Sequence, residues 1–581
     1  MTREPSVKIR ENPWLVPAHP GVVFALIFVG IFLLHAPLLS LPYFWDEAGY
    51  YIPAARDLLL TGSLIPHSTV SNAHPPLVMA WVALWWKAFG YAVPVARSAM
   101  LVLAAFSLTG LFRLAERVAN REVAIAATAL TAVYPVFFAQ SSLGQVDLAA
   151  AGLTFWGLCA YIEERPVAVA IWFSLAVLAK ETAILAPLGL VGWELVRSFW
   201  ERASGWRSAS SAAITGPAES AAFAAEDGPS GWVRRLLPLL MPLLLLILWY
   251  GYHYLRTGYV FGNPEFFRYN VAATLNPLRF LIALALRLWQ VFGYMHLWLL
   301  TAATLIAVLL PPIEDYVGTA IEPGRDSRPR LSGRAQLDGQ RDAIAIPIQM
   351  VFYVVIAAYV VTMAAIGGAV LARYMLPAVP LVIIVAVSTL RRRLRYWPAA
   401  VAVIGLAFIV AWFWNPPYGF SPEDNLAYRD YIRLHADAES FLEARYPMAQ
   451  VLTAWPASDE LSRPWLGYVT RPVRVVRIED FSLEQVLSAA EFRASGAGSF
   501  DVALVFSTKY DPPPTLLERW TIGRGTWWED LKRRFFGFHR DVPPAAAAQM
   551  LGGRIVFAEG RKGQWVAVIE MEKSEVVNAR K

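Results

Sequence analysis

The residues of this chain best suited to chemistry gather at the ends of its apolar stretches. Asp46 and Glu47 stand side by side in LPYFWDEAGYYIPAARDLLLTGSLIPHSTVSNAHPPL (41–77), just after the first apolar run. His74-Pro75-Pro76-Leu77 closes that segment. Further along come Asp147, the pair Lys180-Glu181, Asn270 in a polar and aromatic loop, and Arg373-Tyr374-Met375-Leu376-Pro377. A carboxylate at the edge of a bilayer can take a proton from a hydroxyl, and a neighbouring arginine or lysine can hold an anion. Asp46, Glu47 and Asp147 could also ligate a divalent ion, a question the sequence leaves open. The plainer reading is an interfacial belt, with Trp45, Tyr50 and Tyr51 as anchors and the charges pairing among themselves.

Of the 581 residues, 57% are hydrophobic and 17% charged, against roughly 25% charged in a soluble domain. That balance, with 23 tryptophans and long apolar runs, describes a polytopic α-helical membrane protein. The formal net charge of +6 does not point to nucleic acid, because the basic residues lie mostly in loops between apolar runs. The single cysteine, Cys159, excludes an intrachain disulfide. The first run, 21–41, is long enough to cross a bilayer and follows Arg3, Lys8 and Arg10, so a cytoplasmic N-terminus is expected.

Apolar runs and loop charges together predict eleven spans: 21–41, 95–114, 123–138, 148–162, 167–179, 183–196, 236–254, 291–310, 347–366, 371–390 and 398–414. The run 77–91 reads as a helix lying along the outer interface. Residues 204–231 and 313–343 read as cytoplasmic loops, and the cluster Arg391-Arg392-Arg393-Leu394-Arg395 marks the same side. This topology brings the polar residues to one outer face of the plasma membrane. Arg97 and Lys87 read as cations snorkelling to the interface, and Lys180 and Glu181 as charges that could neutralise each other at a helical hairpin.

Residues 1–415 thus form a membrane domain with its first external loop at 42–77, and 416–581 a soluble extracytoplasmic α/β domain. In the latter a helix at 426–444 precedes strand-like runs at 450–453, 473–478, 501–506, 554–558 and 565–569. Ser482-Leu483-Glu484-Gln485 has the form of a capping box opening a further helix.

Taken in order, the acidic pair after the first span, the His-Pro-Pro-Leu close of the loop, the Asp147 segment, Ala179-Lys180-Glu181 and the Arg373 motif resemble one family. It is the GT-C superfamily of membrane glycosyltransferases, in the branch of protein O-mannosyltransferases and lipid A aminoarabinose transferases (glycosyltransferase family 39-like). Glu181 stands where that family usually has a small residue. The resemblance implies transfer of a sugar from a polyprenyl-phosphate-linked donor to a hydroxyl acceptor at the outer face, by direct displacement with inversion. It implies Asp46 as general base with Glu47 beside it, and His74, Asp147, Lys180, Arg373, Tyr374 and Asn270 as substrate-binding groups. A transporter is the alternative, since charges within spans often line ion paths. Against it, the charges share one face and no inverted repeat is visible.

Overall fold

The computed structural model describes residues 19–209, 229–262, 264, 276–313, 343–366, 368–495, 499–510, 525–536 and 539–572. Asn270, most of the 313–343 loop and residues 210–228 of the 204–231 loop lie outside the described residues. Among the described residues, six helical stretches are long and apolar enough to cross a membrane: Pro20–Leu38, Val93–Val118, Glu181–Phe199, Arg235–Thr257, Pro277–Val308 and Ile346–Ala365. Four shorter apolar helices join them.

In chain order the membrane part comprises α1 (Pro20–His35), α2 (Ile52–Thr61), α3 (Leu77–Phe89), α4 (Val93–Val118), α5 (Arg121–Val133), α6 (Pro135–Gln140), α7 (Asp147–Ile162) and α8 (Pro166–Ala179). It continues through α9 (Leu185–Ala209), α10 (Pro229–Thr257), α11 (Pro277–Phe292), α12 (Leu297–Val308), α13 (Ile346–Ala365), α14 (Val379–Arg393) and α15 (Trp397–Phe413). Many of these helices carry proline in their first turn, where the missing N–H costs nothing.

Four expected boundaries move, two of them at a proline or a kink. The run 123–138 is not one helix, because Pro135 removes a backbone donor and the chain breaks at Tyr134. The stretch ahead of the span expected from 291 is itself a helix, α11. It meets α12 at a kink where Met295 and His296 take left-handed φ angles of 46° and 69°. The span predicted from 371 begins only at Val379, and Ala372–Met375 form a separate tight turn that carries Arg373. The first part of 204–231 is helical rather than a loop, since α9 runs on to Ala209.

Helices α4 and α7 approach so closely that a Cβ on Gly152 would sit 1.8 Å from Ser107 Oγ and 2.8 Å from its Cα. Small residues permit such approach where dispersion, not water exclusion, drives packing. The contact fixes the height of α7, and Asp147 is its first residue.

The soluble part contains α16 (Ala427–Arg445), β1 (Gln450–Ala454), α17 (Ala457–Ser462), β2 (Arg474–Ile478), α18 (Leu483–Ala494), β3 (Val502–Phe506), α19 (Gly525–Phe536), α20 (Pro544–Leu551), β4 (Gly553–Arg561) and β5 (Gln564–Met571). The strands form one sheet in the order β2-β1-β3-β5-β4. The first three are parallel and the last two add antiparallel. Strand β3 is buried along its whole length, which explains its unbroken apolar sequence. The Ser482 side chain does not cap α18. Instead Asp480 accepts from the Ser482 amide at 2.9 Å, so the expected capping box is replaced by an aspartate two residues earlier.

This domain sits directly on the 42–77 loop. Tyr468 donates to the Tyr43 carbonyl at 2.9 Å, Arg463 to the Ser68 carbonyl at 2.8 Å, and the Tyr43 amide to the Leu466 carbonyl. Phe44 packs edge-on against Tyr431 at 5.2 Å. Each ring is only a few per cent exposed, and burying each contributes about 1.5–3 kcal/mol.

Candidate active site

The loop turns sharply at Trp45, whose φ of 45° is costly for a residue with a side chain. Its ring is held between Tyr431 at 5.6 Å and Trp455 at 5.1 Å, so the soluble domain maintains the strain. A π-helical turn follows over Glu47–Tyr51, a widened geometry often found at functional sites. Gly49 is required within it, because a Cβ there would come within 2.5 Å of the Trp455 ring.

This turn sends the two acids in opposite directions. Glu47 points inward, where both oxygens meet Arg97 at 3.0 and 3.1 Å. The same oxygens accept from the amides of Phe44 at 2.8 Å and of Gly144. Arg97 completes its fork on the carbonyls of Leu41, Pro42 and Ser142. Arg97 is therefore no snorkelling cation. It is 1% exposed and ties the start of the first loop to the 142–144 turn. The sequence misled because its partner lies fifty residues away.

Asp46 points outward and meets Arg373 at 2.5 Å. Arg373 also lies 3.3 Å from Asp147 and donates to Glu423. Burial alone would lower the guanidinium pKa, but Glu423, Asp46 and Asp147 more than offset it and raise it well above the ordinary value. One cation thus faces three carboxylates. Of these Asp46 is the accessible one, its side chain 32% exposed against 3% for Asp147 and 3% for Glu423.

Lys180 reaches back to Asp147 at 2.5 Å, and its ammonium lies 3.9 Å from the centre of the Tyr374 ring. Glu181 turns away and accepts from His74 at 2.7 Å, with the Tyr51 ring stacked on the imidazole. Lys180 and Glu181 therefore form no direct ion pair with each other; each makes its close contact with a different segment. The predicted residues Asp46, His74, Asp147, Lys180, Arg373 and Tyr374 are brought together, while Glu47 belongs to the adjacent buried network.

Four features were missed at the sequence level. Glu423 and Asp424 follow the last apolar run much as Asp46 and Glu47 follow the first, which is the signal that could have found them. Glu423 accepts from Gln145 at 2.9 Å and Asp424 from Tyr294 at 2.5 Å. Burial first, and then Glu423, pushes the Asp424 carboxyl up to about 7. Arg287 is 2% exposed and bonds to Gln290 at 2.8 Å and to the carbonyls of Leu371, Met363 and Ala369, with no carboxylate partner among the described residues. Arg279 likewise reaches the carbonyls of Ile366 and Gly368 and lies 5.7 Å from the centre of the Phe536 ring, with no carboxylate partner among the described residues.

A cavity of about 340 Å³ opens beside these groups, lined by His74, Lys180, Glu181, Tyr250, Arg287 and Tyr374 among others. That volume is enough for a small ligand group. The three acids suggested as metal ligands are already met by Arg97, Arg373 and Lys180. Among the described residues, metal-ligand spacing occurs elsewhere, at His435, Glu439 and Glu460 in the soluble domain.

No protein-family profile and no curated protein sequence matches the chain. Among solved structures it is similar to ArnT from Cupriavidus metallidurans bound to undecaprenyl phosphate, with a TM-score of 0.51 at 14% identity over 95% of this chain and 98% of that one. The apo state of the same protein gives a TM-score of 0.50 over the same extents. An oligosaccharyltransferase from Archaeoglobus fulgidus, in complex with zinc and sulfate, aligns at a TM-score of 0.43 and 13% identity over 84% of this chain and 68% of that one. The likeness is one of fold: a bundle of apolar helices followed by a small C-terminal sheet domain.

Proposed function

We propose that this chain transfers a sugar from a polyprenyl-phosphate-linked donor to a hydroxyl acceptor at the outer face of the membrane. One observation carries the reading. A continuous polar chain, Asp46–Arg373–Asp147–Lys180, runs from an accessible carboxylate to a cavity edged by cations. The architecture it shares with an ArnT bound to undecaprenyl phosphate agrees with a lipid-phosphate ligand.

In this reading the donor phosphate enters the cavity beside Lys180 and Arg287. Arg287 is suited to it because, among the described residues, its buried charge has neutral hydrogen-bond acceptors and no carboxylate partner. As the bond from anomeric carbon to phosphate oxygen breaks, negative charge grows on the phosphate, and fixed cations stabilise that charge without reorganising. The acceptor hydroxyl approaches from the Asp46 side and gives its proton to that carboxylate as the new glycosidic bond forms. Asp46 suits the task because it is the accessible one of the three carboxylates around Arg373. Asp147 and Glu423 hold Arg373 in place, and His74 with Glu181 forms the opposite rim. Glu47 acts as a positioning residue, setting the turn from which Asp46 projects. Outward placement of this face, with a cytoplasmic N-terminus, follows from the loop charges.

The test is to reconstitute the protein in liposomes with radiolabelled polyprenyl-phosphate sugars and envelope fractions as acceptors. Mass spectrometry of envelope lipids, glycans and proteins from a strain lacking the chain runs in parallel. Transfer of label, matched by one missing hexose or pentose in the strain, is expected. Solute flux without transfer would favour a transporter instead.

A further inference from the structure

Within the soluble domain, His435 and Glu439 lie one turn apart on α16, and Glu460 faces them from α17. His435 Nδ1 is 2.6 Å from Glu460 Oε2 and 3.8 Å from Glu439 Oε1. One ligand atom from each residue lies within 4.8 Å of the other two. All three side chains are buried, at 1%, 0% and 0% exposure. Neither Glu439 nor Glu460 has a lysine or arginine partner among the described residues.

We infer that this trio binds one divalent cation of the zinc class, at a site separate from the sugar-transfer site. Charge accounting favours it, since two carboxylates and a neutral imidazole cancel a double positive charge in a place where an unbalanced charge is expensive. The hydrogen-bond tally agrees. His435 Nε2, both oxygens of Glu439 and Oε1 of Glu460 are buried, with no hydrogen-bond partner beyond the contact of the two carboxyl groups with each other. One proton shared by the two acids would engage only part of that set. Imidazole with two carboxylates is a donor set that zinc accepts, and tetrahedral zinc spaces such atoms at about 3.4 Å, between the two distances from Nδ1.

The site lies behind the wall that supports the catalytic loop. The His435 ring stacks on Tyr431 at 4.0 Å and meets Phe506 at 4.5 Å, and Tyr431 in turn holds Trp45, the residue before Asp46. Pinning α16 to α17 would stiffen that wall. The cation takes no part in sugar transfer itself.

The experiment uses the full-length protein purified in detergent and dialysed without chelator. Elemental analysis should find about one zinc per chain, and both His435→Gln and Glu439→Gln should lower it at least about tenfold. Asp46→Asn should retain the metal. EDTA should lower the Tm of the wild type and added Zn²⁺ should restore it, with Glu439→Gln insensitive to both. If either variant fails to fold, Co²⁺ added to chelator-treated wild type decides: visible absorption bands of a four-coordinate nitrogen and oxygen site support the assignment, and none overturns it. A wild type that holds no metal, with a Tm indifferent to EDTA and Zn²⁺, assigns the pair to a shared proton. Full metal content in both variants marks the zinc as adventitious.

Discussion

Glu47→Gln separates positioning from chemistry in the acidic pair. Glu47 and Arg97 are each 1% exposed, and the carboxylate meets two guanidinium nitrogens and two backbone amides. Glutamine keeps one oxygen but turns an amide group toward those donors and leaves the Arg97 charge buried without its counterion. Breaking a buried pair from one side costs about 3–5 kcal/mol, a large part of a typical total of about 5–15 kcal/mol. Yield and Tm of the detergent-purified protein should both fall. Arg97→Gln should cost a similar amount. The double variant should be less damaged than the sum by about 2–3 kcal/mol, since removing both charges together leaves neither stranded. Transfer per folded molecule should drop far less than yield. A Glu47→Gln protein with wild-type yield and Tm but no transfer would refute the reasoning and make Glu47 a catalytic residue.

Arg287→Gln should fold, because the bonds it loses are mostly to carbonyls, yet should weaken polyprenyl-phosphate binding about 10–100-fold, the value of one charged contact. Unchanged binding would remove the cavity as the phosphate site. Asp424 has its carboxyl raised to about 7 in the fold, so the folded state binds the extra proton. Its contribution to stability is complete below about 3.9 and is lost as pH rises through about 7. Asp424→Asn, still able to accept from Tyr294, should therefore flatten the fall in Tm between about pH 4 and 7, whereas identical profiles would place the titration elsewhere. A reporter fused after Asn415 should be active outside the cytoplasm and one inserted in 210–228 inside; the same side for both would break the topology on which the shared outer face rests.

What the sequence made legible was local. Asp46 could be picked out because a span ends just before it, and Arg373 because a basic residue at a span edge heads a recognisable motif. The strands of the soluble domain were visible because buried parallel strands read as unbroken apolar runs, β3 above all. What stayed hidden depends on partners far away in the chain. Arg97 looks like any interfacial cation until Glu47 folds onto it, and Lys180 until Asp147 arrives at the end of α7. Glu423 gains its meaning only once Arg373 reaches it across fifty residues. The role of the soluble domain as a brace for Trp45 could not be read from either segment alone.

The most direct test of the central claim is sugar transfer by Asp46→Asn, measured with protein level and donor binding in the same membranes. The substitution keeps the side-chain shape and a partner for Arg373 while removing the base. Protein level and donor binding should stay near wild type, and transfer should fall by about 10²–10⁴-fold, the usual worth of a positioned base. A folded Asp46→Asn protein that transfers sugar at the wild-type rate would contradict the account.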